Sequence, residues 1–335
     1  MRIAKKVKIA QFGISHDHAA GKTQVMKASD AVDFCGIFEP APEVRERLGT
    51  NPAYEGVHWF STAAEILEDE TIAAIAVQGR VSQNLAFAHR ALDCGKHLWL
   101  DKPAGDDLDV FRTLLERARE RGLLVQLGYM FRYNAGFQFI LDWAKSGKLG
   151  DIFSVRGRIS SGPSSASEWQ RWDSRGEREG GIMFILACHL VDIIVALLGR
   201  PTRVNSFLQT AGHEFEWYRD NAIATFEYAG ALAVLESSAR EVSPGASRRL
   251  EVYGTRGSAI LEPLEPPALR LCLDEARAGY AEGWQTVPVE NRPRYVESLG
   301  AFVADIRGEK KPDRSLDHEF IVQETVLRAA GLHPA

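Results

Sequence analysis

Cysteine is scarce in this chain. Four stand among 335 residues (Cys35, Cys94, Cys188, Cys272), far apart and with no CxxC pair. That spacing argues against a disulfide scaffold and a thiolate metal finger, and predicts reduced thiols in a cytoplasmic protein. A surplus of one charge is missing too. The formal balance is -5, with lysine, arginine and acids interspersed. No basic stripe is present to grip nucleic acid or an anionic membrane. Long apolar runs are few, and the longest, Ile182 to Leu198, is interrupted by His189 and Asp192. At the short limit for spanning a bilayer, it is expected to be a buried helix. The stretch Met1 to Lys8 also lacks the apolar core and small-residue cleavage site of a secretory signal.

What is present suits a globular protein that handles a small molecule. Apolar residues make up 45% and charged residues 25%, the balance of a soluble chain with a substantial core. The length exceeds what one core comfortably serves, so two domains are expected, 1–125 and 126–335, the closing helices being free to pack back on the first.

In the first of these, apolar stretches of strand character alternate with helical ones: Val7 to Phe12, Val32 to Phe38, a short piece near His58 to Phe60, Ile72 to Val77, His97 to Leu100 and Leu123 to Gly128. Short links between strand and helix predict a right-handed, doubly wound parallel sheet of six strands. From Asp151 the pattern changes to longer stretches with apolar and polar residues alternating, at 152–160, 203–209, 221–228, 231–238, 248–254, 258–261 and 268–273. Alternation of that kind predicts an open, largely antiparallel sheet with one covered face. The links Ala229-Gly230 and Thr255-Arg256-Gly257 read as hairpins. A last pair of helices is expected at about 294–307 and 315–330.

An open parallel sheet binds its ligand beyond the carboxyl ends of its strands. The first strand ends at Phe12 in Gly13-Ile14-Ser15-His16-Asp17-His18, the place for a dinucleotide fingerprint G-x-G-x-x-G. Only Gly13 matches, with Ser15 and His18 at the other glycine positions. Backbone N–H groups at the following helix still attract a pyrophosphate, and Ser15 adds a hydroxyl donor. His16 and His18 raise the question of a metal, yet histidines two apart lack a helical ligand spacing and the sequence offers no further ligand, so none is expected. Glu39 follows the second strand, 26 positions after Gly13. A carboxylate there accepts ribose hydroxyls and repels a 2'-phosphate, favouring NAD over NADP. The fifth apolar stretch closes on Asp101-Lys102-Pro103, a charged pair at the ligand end of a strand that proline then stops. Far along the chain, Ile185, His189 and Asp192 stand at i, i+4 and i+7 of the helix expected over 180–198, hence on one face. A histidine and an acid in so apolar a helix need partners.

Taken together, the Gly13 turn, Ala91 to His97, Asp101-Lys102-Pro103, Gly128 to Asn134, Gly180-Gly181 with His189-Leu190-Val191-Asp192, Tyr253 to Gly257 and Phe302 to Arg307 resemble the glucose-fructose oxidoreductase / inositol dehydrogenase / MocA family over nearly the full length. The resemblance implies a Rossmann domain for NAD(P), with Phe12, Gly13, Ile14, Ser15, His16, Glu39, Gly79, Arg80, Asn84, Asp101 and Lys102 at the cofactor. It implies Lys102, His189 and Asp192 as catalytic residues, and Tyr129, Arg132, Trp172 and Asp192 at a carbohydrate substrate. A homo-oligomer, dimer or tetramer, is implied as well. The loop carrying Glu168, Trp169, Trp172, Arg175 and Arg178 suits either sugar contacts or an oligomer interface.

Three departures stand out. Ile185 occupies the position where the family's helix motif has its first Asp. The phosphate turn keeps one glycine of three, and Gly79-Arg80-Val81 replaces the usual Thr-Pro-Asn. The expected activity is oxidation of a secondary alcohol of a sugar, inositol or related polyol, with His189 as base and Lys102 polarising the reacting oxygen. Two alternatives stay open: redox-neutral elimination or epimerisation with recycled NAD, and a non-catalytic nucleotide sensor or partner-binding protein.

Overall fold

The computed structural model describes residues 5–163, 174–212 and 216–334. Glu168, Trp169 and Trp172 lie outside the described residues. Two compact units divide the chain: the described part of 1–128 with Ser174 and 294–320, and that of 129–170, 175–293 and 321–335.

In the first unit the near-continuous apolar strands form a parallel sheet, as strands covered on both faces must. Its order is β2-β1-β3-β4-β5, with β1 Val7–Phe12, β2 Val32–Phe38, β3 Ala74–Val77, β4 His97–Leu100 and β5 Val125–Leu127. The connecting helices are α1 Ala19–Ala28, α2 Pro42–Leu48, α3 Ala63–Leu67, α4 Val81–Asp93 and α5 Leu108–Arg121. The expected sixth strand is a correction. The stretch at His58 to Phe60 makes one isolated bridge, Ile37 to Trp59, because the chain turns at once into the α3 capping box of Thr62 and Glu65. The core gathers Val7, Ile9, Met26, Val32 and Trp99 with Leu299, Phe302 and Val303. The open edge at β5 is taken up by later residues: Leu127 N–H donates to Glu319 Oε1 at 3.2 Å, and Gln126 Nε2 donates to the Ser298 carbonyl at 3.1 Å. An unpaired strand edge is thereby covered.

The second unit holds α6 Ala135–Lys145 and an eight-stranded sheet of order β13-β12-β11-β10-β6-β9-β8-β7. Its strands are β6 Ile152–Arg158, β7 Arg203–Gln209, β8 Asn221–Glu227, β9 Leu232–Ser238, β10 Arg249–Gly254, β11 Gly257–Leu261, β12 Leu269–Leu273 and β13 Gly283–Val287. All neighbours are antiparallel except β6 and β9. The edge strand β13 escapes the sequence pattern, being five residues long and opened by a glycine.

The helix expected as one piece over 180–198 is also corrected. It divides into π-helical turns at Gly176–Gly180 and Met183–Ala187 and the α-helix α7 Cys188–Leu198, with Gly181 at φ +54° between the first two. Such wide turns within helices concentrate at functional positions. Glycine at 157 lets this layer approach the sheet, since a Cβ there would lie 3.0 Å from Leu190 and 3.2 Å from Leu235. No helix among the described residues is long and apolar enough to cross a membrane.

Candidate functional site

The turn after β1 survives the loss of two glycines because the remaining one is indispensable. Gly13 has φ +77°, and a Cβ on it would lie 2.3 Å from the Gly79 Cα. A Cβ on Gly79 would in turn meet the Phe12 ring at 2.7 Å. Two glycines therefore face each other where the turn meets the β3–α4 link, leaving main chain bare for a close-fitting ligand. Beneath them Phe12 stacks on Phe87 at 3.7 Å, and Gln11 supports the turn by donating to the Gly13 carbonyl at 2.9 Å.

Most N–H groups of the turn serve the fold itself. Gly13 donates to the Phe38 carbonyl at 2.8 Å, His16 to the Gln78 carbonyl at 3.1 Å, and Ile14 to Glu39 Oε2 at 2.8 Å. Glu39, expected at a ribose, thus also ties β2 to the turn. Burial raises its carboxyl, while the N–H groups of Ala41 and Ile14 oppose the rise. Ser15 keeps its N–H and hydroxyl clear of hydrogen bonds among the described residues. The amide of Asn84, on α4, is buried with neither its nitrogen nor its oxygen hydrogen-bonded among the described residues. Arg80, at the start of the same helix, is part-exposed and 3.5 Å from Glu43. A glycine cradle, a clear serine and an orphaned buried amide at the carboxyl ends of a parallel sheet fit a dinucleotide.

Asp101 and Lys102, just beyond β4, sit in a polar cluster. The Asp101 carboxylate accepts from Lys102 N–H at 2.8 Å and from His18 Nδ1 at 3.0 Å, and its other oxygen lies 2.9 Å from Lys22 Nζ. Lys22 is fully buried, its ammonium 4.1 Å above the Trp99 ring. Gly128 has to be glycine, because a Cβ there would lie 2.7 Å from both Asp101 Oδ1 and Lys22 Nζ. His16 completes the cluster: its Nδ1 accepts His18 N–H at 3.1 Å, so its Nε2 carries the proton and donates to the Lys102 carbonyl at 2.9 Å.

Burial pushes the His16 imidazole down to about 3 and lowers His18 and Lys22 as well, with Asp101 opposing in each case. Burial alone would raise Asp101, but His16, Lys22 and His18 outweigh it and hold the carboxyl well below its ordinary range.

The sequence offers no third partner to the two histidines, and the fold supplies one. Asp101 brings a carboxylate oxygen to within 4.8 Å of both imidazoles. The lysine ammonium already provides the countercharge at that carboxylate, and both His16 nitrogens are engaged. Lys22 is the residue the sequence reading missed. Its signal was its place four residues after His18, on the same helix face.

In the second unit the short helix Met130–Tyr133 and α7 bring together Tyr129, Phe131, Arg132, His189 and Asp192. His189 is buried, its ring edge-on to Tyr129 at 5.8 Å and tilted against Phe131 at 5.2 Å. Asp192, expected to orient His189 or bind substrate, is fully buried with both oxygens on Arg132, at 2.7 and 3.0 Å. The Arg132 guanidinium also lies 5.0 Å over the Tyr129 ring. Ile185 sits on the π turn before this helix, so its spacing to His189 runs through a wider winding than the i, i+4 reading assumes.

Comparison with known proteins agrees with both units. The description "Oxidoreductase family, NAD-binding Rossmann fold" matches residues 11–129, and "GFO/IDH/MocA C-terminal domain" matches 137–260. An uncharacterized oxidoreductase of Escherichia coli, YhhX, is 28% identical over 180 residues, 54% of this chain and 50% of that protein; the chain thus spans half the length of this relative. Myo-inositol 2-dehydrogenase of Thermotoga maritima is 20% identical over 81% of this chain and 78% of its own. Scyllo-inositol 2-dehydrogenase (NAD(+)) of Bacillus subtilis is 27% identical over 62% and 60%. Among solved structures, UDP-N-acetylglucosamine 3-dehydrogenase from Acidithiobacillus ferrooxidans superposes with a TM-score of 0.77 at 18% identity, covering 98% of each chain, a likeness of fold. With both halves matched in order, this chain belongs to the Gfo/Idh/MocA family of NAD-binding oxidoreductases.

Proposed function

We propose that this protein is a cytoplasmic NAD(P)-dependent dehydrogenase that oxidises a secondary alcohol of a sugar, inositol or related polyol and works as a homo-oligomer. The single observation that carries the reading is the hold on Lys102. It is buried, at 5% exposure, and the fold grips its main chain from both sides, through Asp101 at its N–H and His16 at its carbonyl. A lysine so fixed at the carboxyl end of a parallel strand is placed for chemistry rather than for solvation.

In this reading the glycine cradle holds the dinucleotide, with Ser15, Asn84, Arg80 and Glu39 contributing polar contacts, and NAD is preferred over NADP because of the Glu39 carboxylate. The nicotinamide, when bound, supplies the hydride acceptor. Lys102 donates to the reacting oxygen and stabilises the negative charge that grows there, a role whose loss costs about 2.7–4 kcal/mol at comparable sites. His189 takes the hydroxyl proton as general base. Arg132 and Asp192, locked to each other, position the segment that carries Tyr129 and the helix that carries His189. Dehydrogenation of inositols in two of the relatives named above supports the substrate class.

Mixing the protein with NAD and a panel of inositols, aldoses and sugar nucleotides, while following the reduced-nicotinamide absorbance band, tests the reading. The expected result is reduction with at least one polyol, lost in Lys102→Ala. Tight NAD binding with no reduction across the panel overturns it.

A second reading is favoured by Ile185, which puts a side chain with no ionisable proton where the family's helix motif has an acid. Here NAD is recycled within one turnover and the sugar is epimerised or loses water. Product formation without net NADH separates this reading from the first.

A further inference from the structure

We propose that His16 couples the dinucleotide turn to Lys102, so that a ligand seated on residues 13–18 and the placement of the lysine become one event. The inference rests on the reading that this turn holds a dinucleotide, and it adds a positioning residue to that reading.

The geometry that carries it is a side chain reaching from one link of the sheet to another. His16 belongs to the turn after β1, and Lys102 follows β4, 86 positions later. The imidazole bridges them through Nε2 and the Lys102 carbonyl at 2.9 Å. The residue is held at both ends, because the His16 backbone N–H is fixed on the Gln78 carbonyl at 3.1 Å and the ring Nδ1 accepts His18 N–H at 3.1 Å. The far side of the lysine peptide is equally constrained, with its N–H on Asp101 Oδ1 at 2.8 Å and that carboxylate held by His18 and Lys22. A shift of the turn is therefore passed to the Lys102 carbonyl through a rigid ring rather than absorbed.

The bridge needs a neutral imidazole, since a protonated one would lose the Nδ1 acceptor that orients it. Burial supplies that condition, pushing the His16 imidazole down to about 3. Phosphate at such turns is met by main-chain N–H groups, and Ser15, whose N–H and hydroxyl are clear of hydrogen bonds among the described residues, is placed for that, so the side chain at 16 is available for this second task.

Two substitutions dissect the ring. Glutamine places an amide nitrogen as many bonds from Cα as Nε2 and keeps the donor to Lys102. Asparagine reaches only the position of Nδ1, so it keeps an acceptor for His18 N–H and loses the bridge. Hydrogen–deuterium exchange of the full-length protein, read by mass spectrometry over residues 97–105 with and without NADH, is the measurement. Coupled sites typically differ by 5–150-fold in equilibrium.

In the unsubstituted protein NADH is expected to slow exchange at residues 101–105 by about 5-fold or more. At saturating NADH, His16→Asn is expected to lose that protection, while His16→Gln regains it. In turnover, the same loss is expected in kcat rather than in KM for NAD.

Protection that persists in His16→Asn overturns the proposal, as does a His16→Gln protein that folds and binds yet stays unprotected. NADH binding without protection in the unsubstituted protein overturns the coupling alone. Absence of NADH binding overturns the dinucleotide reading and the coupling with it.

Discussion

Lys102 and His189 are both buried, yet they are held by opposite kinds of surroundings. Around Lys102 the first unit assembles a carboxylate, a second ammonium and two imidazoles, joined by hydrogen bonds of 2.8–3.1 Å and an ion pair at 2.9 Å. Around His189 the second unit offers aromatic faces, and the nearby charges of Arg132 and Asp192 close on each other. A buried polar network is demanding: each member satisfies another, and loss of one strands its neighbours. An aromatic setting tolerates more, because ring packing is less directional. The lysine side should therefore break sharply under substitution, and the histidine side by degrees.

The largest effect is expected at Lys22. Lys22→Met leaves Asp101 buried without its ammonium and should cost about 3–5 kcal/mol, the usual consequence of breaking a buried pair. Urea unfolding of the full-length protein measures it, and Lys22→Met combined with Asp101→Asn should recover part of the loss, since a neutral amide leaves no stranded charge and its oxygen still accepts from His18 and Lys102 N–H. A single-substitution cost below about 1 kcal/mol, typical of exposed pairs, would break the contrast. Next comes Gly128→Ala, whose new methyl would press on Asp101 and Lys22 at 2.7 Å. Overpacking of that kind costs about 1–3 kcal/mol, and the same unfolding assay should show it.

A third effect appears with pH. The imidazoles of His16, His18 and His97 are all lowered by burial, His16 to about 3, so the unfolded chain binds protons that the folded one refuses. Stability then falls as pH drops below the unfolded value of about 6.5, and His16, lowered to about 3, withdraws about 1.4 kcal/mol per pH unit over the range between. By pH 5.5 His16 alone should cost about 1.4 kcal/mol. Asp101 acts in the opposite range: its lowered carboxyl stabilises the fold above its unfolded value of about 3.9 and gives way only in stronger acid. Urea midpoints taken from pH 7.5 to 4.5 should slope downward, and His16→Gln should remove one histidine's share. A flat profile would mean that the cluster accepts protons without strain.

How much of this was legible in the sequence follows the same contrast. The parallel sheet was readable because strands covered on both faces need continuous apolar residues, and the second sheet because β6 to β12 alternate. Trp59 and β13 were misjudged or missed, being a single bridge and a short edge strand, where pairing depends on what lies alongside rather than on local pattern. Lys102 and His189 were visible as charged or polar residues in apolar stretches. Their surroundings were not. Lys22 reads as an ordinary helical lysine until Asp101, 79 positions away, is folded against it. Arg132 and Asp192 are separated by 60 positions, and no periodicity links a short helix after one strand to the middle of another helix. The Glu39 carboxylate was expected to face a ribose, and its bond to Ile14 N–H depends on the exact lie of the turn.

The smallest effect sharpens the aromatic half of the contrast. Tyr129 meets His189 edge to face at 5.8 Å and lies under the Arg132 guanidinium at 5.0 Å, and both contacts belong to the ring rather than the hydroxyl. Tyr129→Phe keeps the ring and should cost less than Tyr129→Leu, which forfeits an aromatic pairing of about 0.5–1.5 kcal/mol beyond lost area. Unfolding curves for the two variants resolve that difference. If phenylalanine proves as damaging as leucine, a hydroxyl hydrogen bond holds this segment after all. The setting of His189 would then be a polar network of the same kind as that of Lys102, and the graded response expected of it would give way to an abrupt one.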